Sequence, residues 1–337
     1  MTGRQRILAM IDGQAVDHLP LMPITMMFAA DVAGEKYGTY ARDHRVLADA
    51  QFRTAEAFGF DYVSAISDPA REVADLGGAV GWFEDQPPAV VESRALLEDK
   101  SRLAGLKLPD MTRDGRMRDR IEAVRLLRQK VGDDRVVEGW VEGPCAMAAD
   151  LRGLNTLMLD FHDDPDFVAQ LLDFVVTMET AFAEAQVEAG ADVIGVGDAA
   201  ASLIGPRLYE TFIVRRERQL VAAIKAVGAR VRLHICGNTR KIVGGMGTLG
   251  CDIVDLDFPC PIHEARSAMG PDQVLLGNLD PVRVVRDGTP ESIGRELSRC
   301  FEEAGSRYIV GAGCEIPRGT PEANLRALAD FARSHRT

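Results

Sequence analysis

Short apolar or β-branched runs, each closed by Gly, Pro, Asn or a polar cluster, alternate along this chain with longer stretches of helical spacing. Eight such runs stand out, at 19–25, 61–68, 136–144, 192–199, 231–236, 252–259, 274–281 and 308–317. The stretches between them carry helix signals. Asp163-Asp164-Pro165 opens an apolar pattern through Phe167, Leu171, Leu172, Phe174 and Val175 toward Gly190. Thr289-Pro290-Glu291 and Thr320-Pro321-Glu322 each supply an N-cap, a proline at the first helical position and an acid in the first turn. Strands that alternate with helices imply a parallel sheet, and eight units in 337 residues predict an α/β fold of the (β/α)8 TIM-barrel type. The competing architecture is an open doubly wound sheet, but no glycine-rich phosphate fingerprint follows the first run. No linker, repeat or low-complexity stretch divides the chain, so 1–337 reads as one domain. The gap between Asp68 and Val136 is longer than one helix and predicts an insertion at about 69–135. With Trp82, Phe83 and Pro87-Pro88 in it, this insertion is expected to form a lid or a small β-element over the barrel mouth.

In such a barrel, chemistry sits at the C-terminal ends of the strands. The residues placed there are Asp68, Glu142, Asp198, His234, Cys236, Asp257, Asn278, Asp280 and Cys314. Positions i and i+2 of a strand face the same way, so His234 and Cys236 present an imidazole and a thiol in one direction. Cys314, at the end of the last run, adds a second thiol. One nitrogen and two sulfurs describe a Zn2+ site with its fourth position open, which is a catalytic arrangement. Taken singly, each of these residues reads as a core histidine or a small buried hydrophobe. The shared face and shared end of the barrel favour a metal. Asp257 is a candidate fourth ligand that would leave when substrate arrives. Cys251 and Cys300 read as structural, whereas Cys145, Cys260 and His263 follow strand ends and stay in competition as ligands. Asp68, Glu142 and Asp198 are candidates for orienting substrate or taking its proton, although each is equally suited to capping a turn.

Charge and composition narrow the partners. A net charge of -12 with no basic stripe excludes nucleic acid. No stretch approaches the roughly 20 unbroken apolar residues of a membrane span, and the N-terminal residues lack the apolar core of a signal peptide. The expected location is the cytoplasm, which would keep the six cysteines reduced and available to a metal.

Ser67-Asp68, Gly277-Asn278-Leu279-Asp280-Pro281, Gly313-Cys314-Glu315-Ile316-Pro317, Thr320-Pro321-Glu322 and Asn324 resemble the uroporphyrinogen decarboxylase superfamily, and the likeness extends over nearly the whole chain. Two features depart from its decarboxylases. They carry Gly-His-Gly where this chain has Gly313-Cys314-Glu315, and their arginine-rich N-terminal segment is replaced here by the uncharged stretch from Leu19 to Phe28. The chain thus resembles the other branch, the zinc-dependent corrinoid methyltransferases similar to methylcobamide:coenzyme M methyltransferase. That resemblance implies zinc on His234, Cys236 and Cys314, with an acid, Asp257, on the sixth strand. It implies transfer of a methyl group between a corrinoid (cobalamin) carried by a partner protein and a small thiol such as coenzyme M, another thiol or a pterin such as tetrahydrofolate. The ligand set suits the chemistry, because zinc releases the proton of a bound thiol and has no redox chemistry of its own. Two other readings stay open. One is a metal-free decarboxylase using Asp68, with Arg71, Arg152, Arg207 and Arg318 as its cations; the other is a non-catalytic metal- or thiol-binding module. A barrel of this kind suits a monomer and a homodimer equally.

Overall fold

The computed structural model describes residues 1–336. Seven strands form one curled parallel sheet: β1 (Tyr62–Ser64), β2 (Val136–Glu142), β3 (Val193–Gly197), β4 (Arg230–Ile235), β5 (Ile253–Leu256), β6 (Val274–Gly277) and β7 (Tyr308–Ile309). They pair in chain order, and helices connect successive strands on the outside. Nearly every strand residue is buried, as expected when helices cover one face and inward side chains fill the other.

The run at 19–25 departs from expectation. It forms no strand and contributes only a bridge between Leu21 and Val310. Pro20 and Pro23 have no N–H to donate, so a regular ladder cannot run through them. What remains is irregular pairing on both sides: Met22 N donates to Val310 O at 3.0 Å, Val310 N to Pro20 O at 2.9 Å, and Asp61 N to Leu21 O at 3.1 Å. The strands by themselves therefore make a seven-stranded curled sheet rather than the eight-stranded barrel expected. The last run is also shorter as a strand than its apolar span, continuing past Ile309 only as isolated bridges, Val310 to Leu21 and Ala312 to Leu279.

Helix starts follow local chemistry. Asp164 accepts a hydrogen bond from Phe167 N ahead of Pro165–Glu188, and Thr289 forms a capping box with Ser292. At 320–322 the helix begins one residue later than expected, at Glu322, and the Thr320 hydroxyl donates to Pro317 O instead. Within 69–135 lie a short helix (Ala70–Asp75) and a two-stranded hairpin pairing Val80–Gly81 with Ala89–Val90. Two short 3-10 elements, Glu92–Arg94 and Lys100–Gly105, follow, and then Arg116–Val131, an ordinary crossover helix packed on β2. Among the described residues no helix is long and apolar enough to cross a membrane.

Candidate metal centre

His234 and Arg232 share the inward face of β4, and Cys236 follows directly after its end. His234 Nε2 lies 2.8 Å from Cys236 Sγ, and the Cys236 and Cys314 sulfurs are 3.7 Å apart. The ligand atoms of His234, Cys236 and Cys314 all fall within 4.8 Å of one another. Two glycines permit this convergence. Gly237 takes a left-handed φ of 89°, turning the chain immediately after Cys236. A Cβ on Gly313 would sit 2.5 Å from Phe258 N and 2.8 Å from Asp257 Oδ1, so only glycine lets the Cys314 loop come this close.

Behind the histidine runs a buried chain of charges. Parallel pairing sets His234 beside Asp255 of β5. Asp255 Oδ2 lies 3.2 Å from His234 Nδ1, off the line of a full hydrogen bond, and accepts from Arg232 Nη2 at 2.5 Å and Nε at 3.1 Å. Arg232 reaches Glu138 of β2 at 3.2 Å, and all three charged side chains are fully buried. Burial opposes the charge on Asp255, but Arg232 and His234 outweigh it and hold its pKa below the usual range. Burial likewise opposes a charged His234, yet the neighbouring Cys236 and Asp255 raise its pKa well above the ordinary value. The contact between the two sulfurs draws the Cys314 thiol down to about 4 and pushes Cys236 upward. The Trp140 ring lies 6.5 Å from that of His234, and a Cβ on Gly195 would collide with the indole.

These donors suit zinc. An imidazole nitrogen and two thiols, one readily ionised, converge, and among the described residues no fourth protein donor joins the cluster. They border a cavity of about 760 Å3, walled largely by apolar side chains including Ile24, Ile66, Trp140, Leu154 and Leu203. The hairpin lends Pro87, Pro88, Ala89 and Val90 to this wall.

The other predicted residues separate by surroundings. Asp68 lines the cavity but is held by Arg116 at 2.6 Å and by Ala70 N at 3.2 Å. Glu142 also lines it, 2.9 Å from Arg71; burial, only partly offset by Arg71, raises its pKa to about 8. Asp198 is fully buried behind the wall, where it accepts from Ala146 N at 2.6 Å and Cys145 N at 3.2 Å, capping the Pro144–Arg152 helix. Burial raises its pKa to about 6. Asp257 stands outside the three-residue cluster, with its oxygens accepting from Gly237 N at 2.6 Å and Phe258 N at 2.7 Å. Asn278 bonds to Cys260 O, and Asp280 accepts from Val282 N and Arg283 N. Cys145, Cys251, Cys260 and Cys300 are buried elsewhere, and His263 pairs with Glu303 on the surface.

Sequence reasoning passed over Glu138, Arg232 and Asp255, along with Asp150 and Glu315, which line the cavity. For the first three a signal was present: each is a charge flanked on both sides by apolar residues at an interior position of its strand.

The uroporphyrinogen decarboxylase (URO-D) family profile matches residues 2–335. A methylcobamide:CoM methyltransferase of Methanosarcina mazei is 30% identical, with 99% of this chain and 98% of that protein covered. A solved methyltransferase from Methanosarcina mazei superposes with a TM-score of 0.90 at 26% identity, covering 99% of this chain and 98% of the other. A B12-independent methionine synthase from Shewanella sp. W3-18-1 shares the fold at a TM-score of 0.62 and 14% identity, covering 86% of each chain. The chain therefore belongs to the uroporphyrinogen decarboxylase family, in the branch of the methylcobamide:CoM methyltransferases.

Proposed function

We propose that this protein transfers a methyl group between a corrinoid carried by a separate protein and a small thiol, at a zinc ion held by His234, Cys236 and Cys314. One observation carries the reading: an imidazole and two thiols converge beside an apolar cavity, in a chain whose relatives over its full length are named methylcobamide:CoM methyltransferases. Coenzyme M is the thiol in those names. Bound zinc supplies a Lewis acid that lowers the pKa of the substrate thiol, so that its sulfur is present as a nucleophilic thiolate.

The chain's own groups prepare that event. Asp255 faces Nδ1 of His234 and leaves Nε2 free to act as a ligand. Cys236 and Cys314 bring negative charge that keeps a bound thiolate reactive. The apolar wall excludes water from the nucleophile. Of the three candidate acids, Asp198 is committed to a helix start, and Asp68 and Glu142 line the cavity paired with Arg116 and Arg71; burial raises the Glu142 pKa to about 8, near that of a thiol, so Glu142 takes the thiol proton. Asp257 acts as a positioning residue, holding the turn after Cys236 through Gly237. In the transfer the S–CH3 bond forms as the Co–CH3 bond breaks, and cobalt keeps the electron pair as Co(I).

The corrinoid arrives on a partner that docks at the cavity mouth, beside the hairpin of the 69–135 segment. That segment serves as the lid of a single domain, and the irregular 19–25 stretch, hydrogen-bonded on both sides, completes the sheet into a closed (β/α)8 barrel. The working location is the cytoplasm, where the thiols stay reduced. Metal-free decarboxylation of a polycarboxylate finds little support. Arg71 is engaged by Glu72 and Glu142, Arg152 by Asp160 and two carbonyls, and Arg318 by Asp31 and Asp85, while Arg207 is exposed and does not line the cavity.

The test is demethylation of methylcobalamin by zinc-loaded protein in the presence of small thiols, followed through the corrinoid spectrum and the methylated product. Wild type should turn over, and Cys314→Ser should lose at least about a hundredfold in kcat/KM. Zinc-loaded wild type that methylates no thiol would overturn the proposal.

A further inference from the structure

Trp140 is the only Phe, Tyr or Trp among the described residues lining the cavity, and the chain holds its ring in one place. β1 ends at Ser64, opposite Glu138, so β2 runs on past it without a ladder partner on that side. Both backbone groups of Trp140 face this gap, because Glu138, two residues earlier, turns its carbonyl to Ala65 N on the same side. Gln186, fully buried on the Pro165–Glu188 helix, replaces the missing rung: its Oε1 accepts from Trp140 N at 2.8 Å and its Nε2 donates to Trp140 O at 3.0 Å. A Cβ on Gly139 would stand 2.7 Å from that Oε1, so glycine admits the amide. Ile24 and Ile66 pack with the indole in a small cluster of their own, apart from the main core.

The indole N–H is left unused by this scaffold. The side-chain Nε1–H of Trp140 has no acceptor among the described residues, although the residue is only 5% exposed. A buried indole N–H normally finds a partner. Gly197, whose Cβ would stand 3.1 Å from Nε1, also lines the cavity, so the N–H edge lies on the cavity side. The group is a donor only, and what it lacks is therefore an acceptor. An oxygen serves that purpose better than a sulfur, which accepts weakly. With the indole and His234 ring centroids 6.5 Å apart, an oxygen on Nε1 is a short arm away from a sulfur held at the His234–Cys236–Cys314 cluster.

We propose that Trp140 binds the substrate, its Nε1–H donating to a hydroxyl, carboxylate or sulfonate oxygen on the arm of the accepted thiol, and that Gln186 is the positioning residue that fixes the indole for this contact. The inference rests on the thiol-transfer reading above and deepens it, because it selects thiols with an oxygen a short arm from the sulfur.

The experiment compares mercaptoethanol with propanethiol, which have the same length and differ in a terminal hydroxyl against a methyl, and adds mercaptoethanesulfonate. Kd for each is measured by calorimetry on zinc-loaded wild type and Trp140→Phe, which keeps an aromatic ring and removes the N–H. The ratio of the propanethiol Kd to the mercaptoethanol Kd should fall about fivefold or more on Trp140→Phe, and the ratio against mercaptoethanesulfonate should fall at least as far. General loosening of the pocket cancels in these ratios. In protein labelled with 15N at its two tryptophans, with Trp82→Phe assigning the signals, mercaptoethanol should move the Trp140 indole N–H resonance downfield and propanethiol should leave it nearly in place. Folded Gln186→Leu should broaden or split that resonance and lower the same ratios. Ratios unchanged in Trp140→Phe, or an indole resonance that responds alike to both thiols, would overturn the contact; a resonance and ratios unchanged in Gln186→Leu would remove Gln186 from it. A Trp140-dependent ratio in a wild type that methylates no thiol from methylcobalamin would retain the contact and sink the methyl transfer. Thiol methylation with ratios indifferent to Trp140 would do the reverse.

Discussion

Replacing Asp255 by Asn removes one charge from a fully buried chain while preserving side-chain shape. In the wild type its carboxylate faces Arg232 at 2.5 Å and His234 Nδ1 at 3.2 Å. At roughly 3 Å and an effective dielectric of about 20, each such pair is worth about 5 kcal/mol before desolvation is counted. The substitution leaves Arg232, wholly buried, with Glu138 alone at 3.2 Å. Removing one partner of a buried pair costs about 3–5 kcal/mol, which in a chain of this size lowers Tm by roughly 5–10 °C. It also frees the imidazole to adopt the wrong tautomer, and losing such a support weakens metal binding by about 10–100-fold. Thermal unfolding and chelator-competition titration of zinc read the two effects separately. Glu138→Gln, at the far end of the chain from the imidazole, separates stability from ligation: it should lower Tm comparably yet keep zinc affinity within about threefold of wild type. Equal loss of zinc affinity in both variants, or none in Asp255→Asn, would refute the claim that Asp255 orients the ligand.

Two further outcomes follow from the surrounding carboxylates. Asp198→Ala should cost about 1–2 kcal/mol, because two N–H groups at the start of Pro144–Arg152 lose their cap, while zinc content stays unchanged; denaturant unfolding and metal analysis check this. Asp150 has a folded pKa raised to about 7 from 3.8, so the folded state binds its proton more tightly. Its contribution is fully present below the unfolded value and is lost as pH rises through about 7. Asp150→Asn should therefore match wild type in Tm near pH 4 and gain about 1–2 kcal/mol over it by pH 8, and a gain independent of pH would contradict the account.

The His234–Cys236 pair was legible in the sequence because strand periodicity sends i and i+2 to one face, and Cys314 because parallel strands end on the same side of the sheet. Helix starts at Asp164 and Thr289 were readable from their caps, which act within one turn. The missed parts depend on partners distant in sequence. Asp255 looks like an interruption of an apolar run until register places it against His234 and Arg232. Asp198 resembles a catalytic acid at a strand end, and only the packing of Pro144–Arg152 onto it shows that its oxygens are occupied. The 19–25 run carried its own warning: its apolar content suggested a strand, while Pro20 and Pro23 denied it a ladder.

The central claim, that His234, Cys236 and Cys314 hold a catalytic zinc, is tested most directly by metal analysis of untagged protein as wild type, Cys236→Ser and Cys314→Ser. The account predicts about one zinc per wild-type chain and a loss of most of it in each variant whose circular dichroism shows an intact fold. Wild type that stays zinc-free after supplementation, or variants that retain zinc in full, would contradict it.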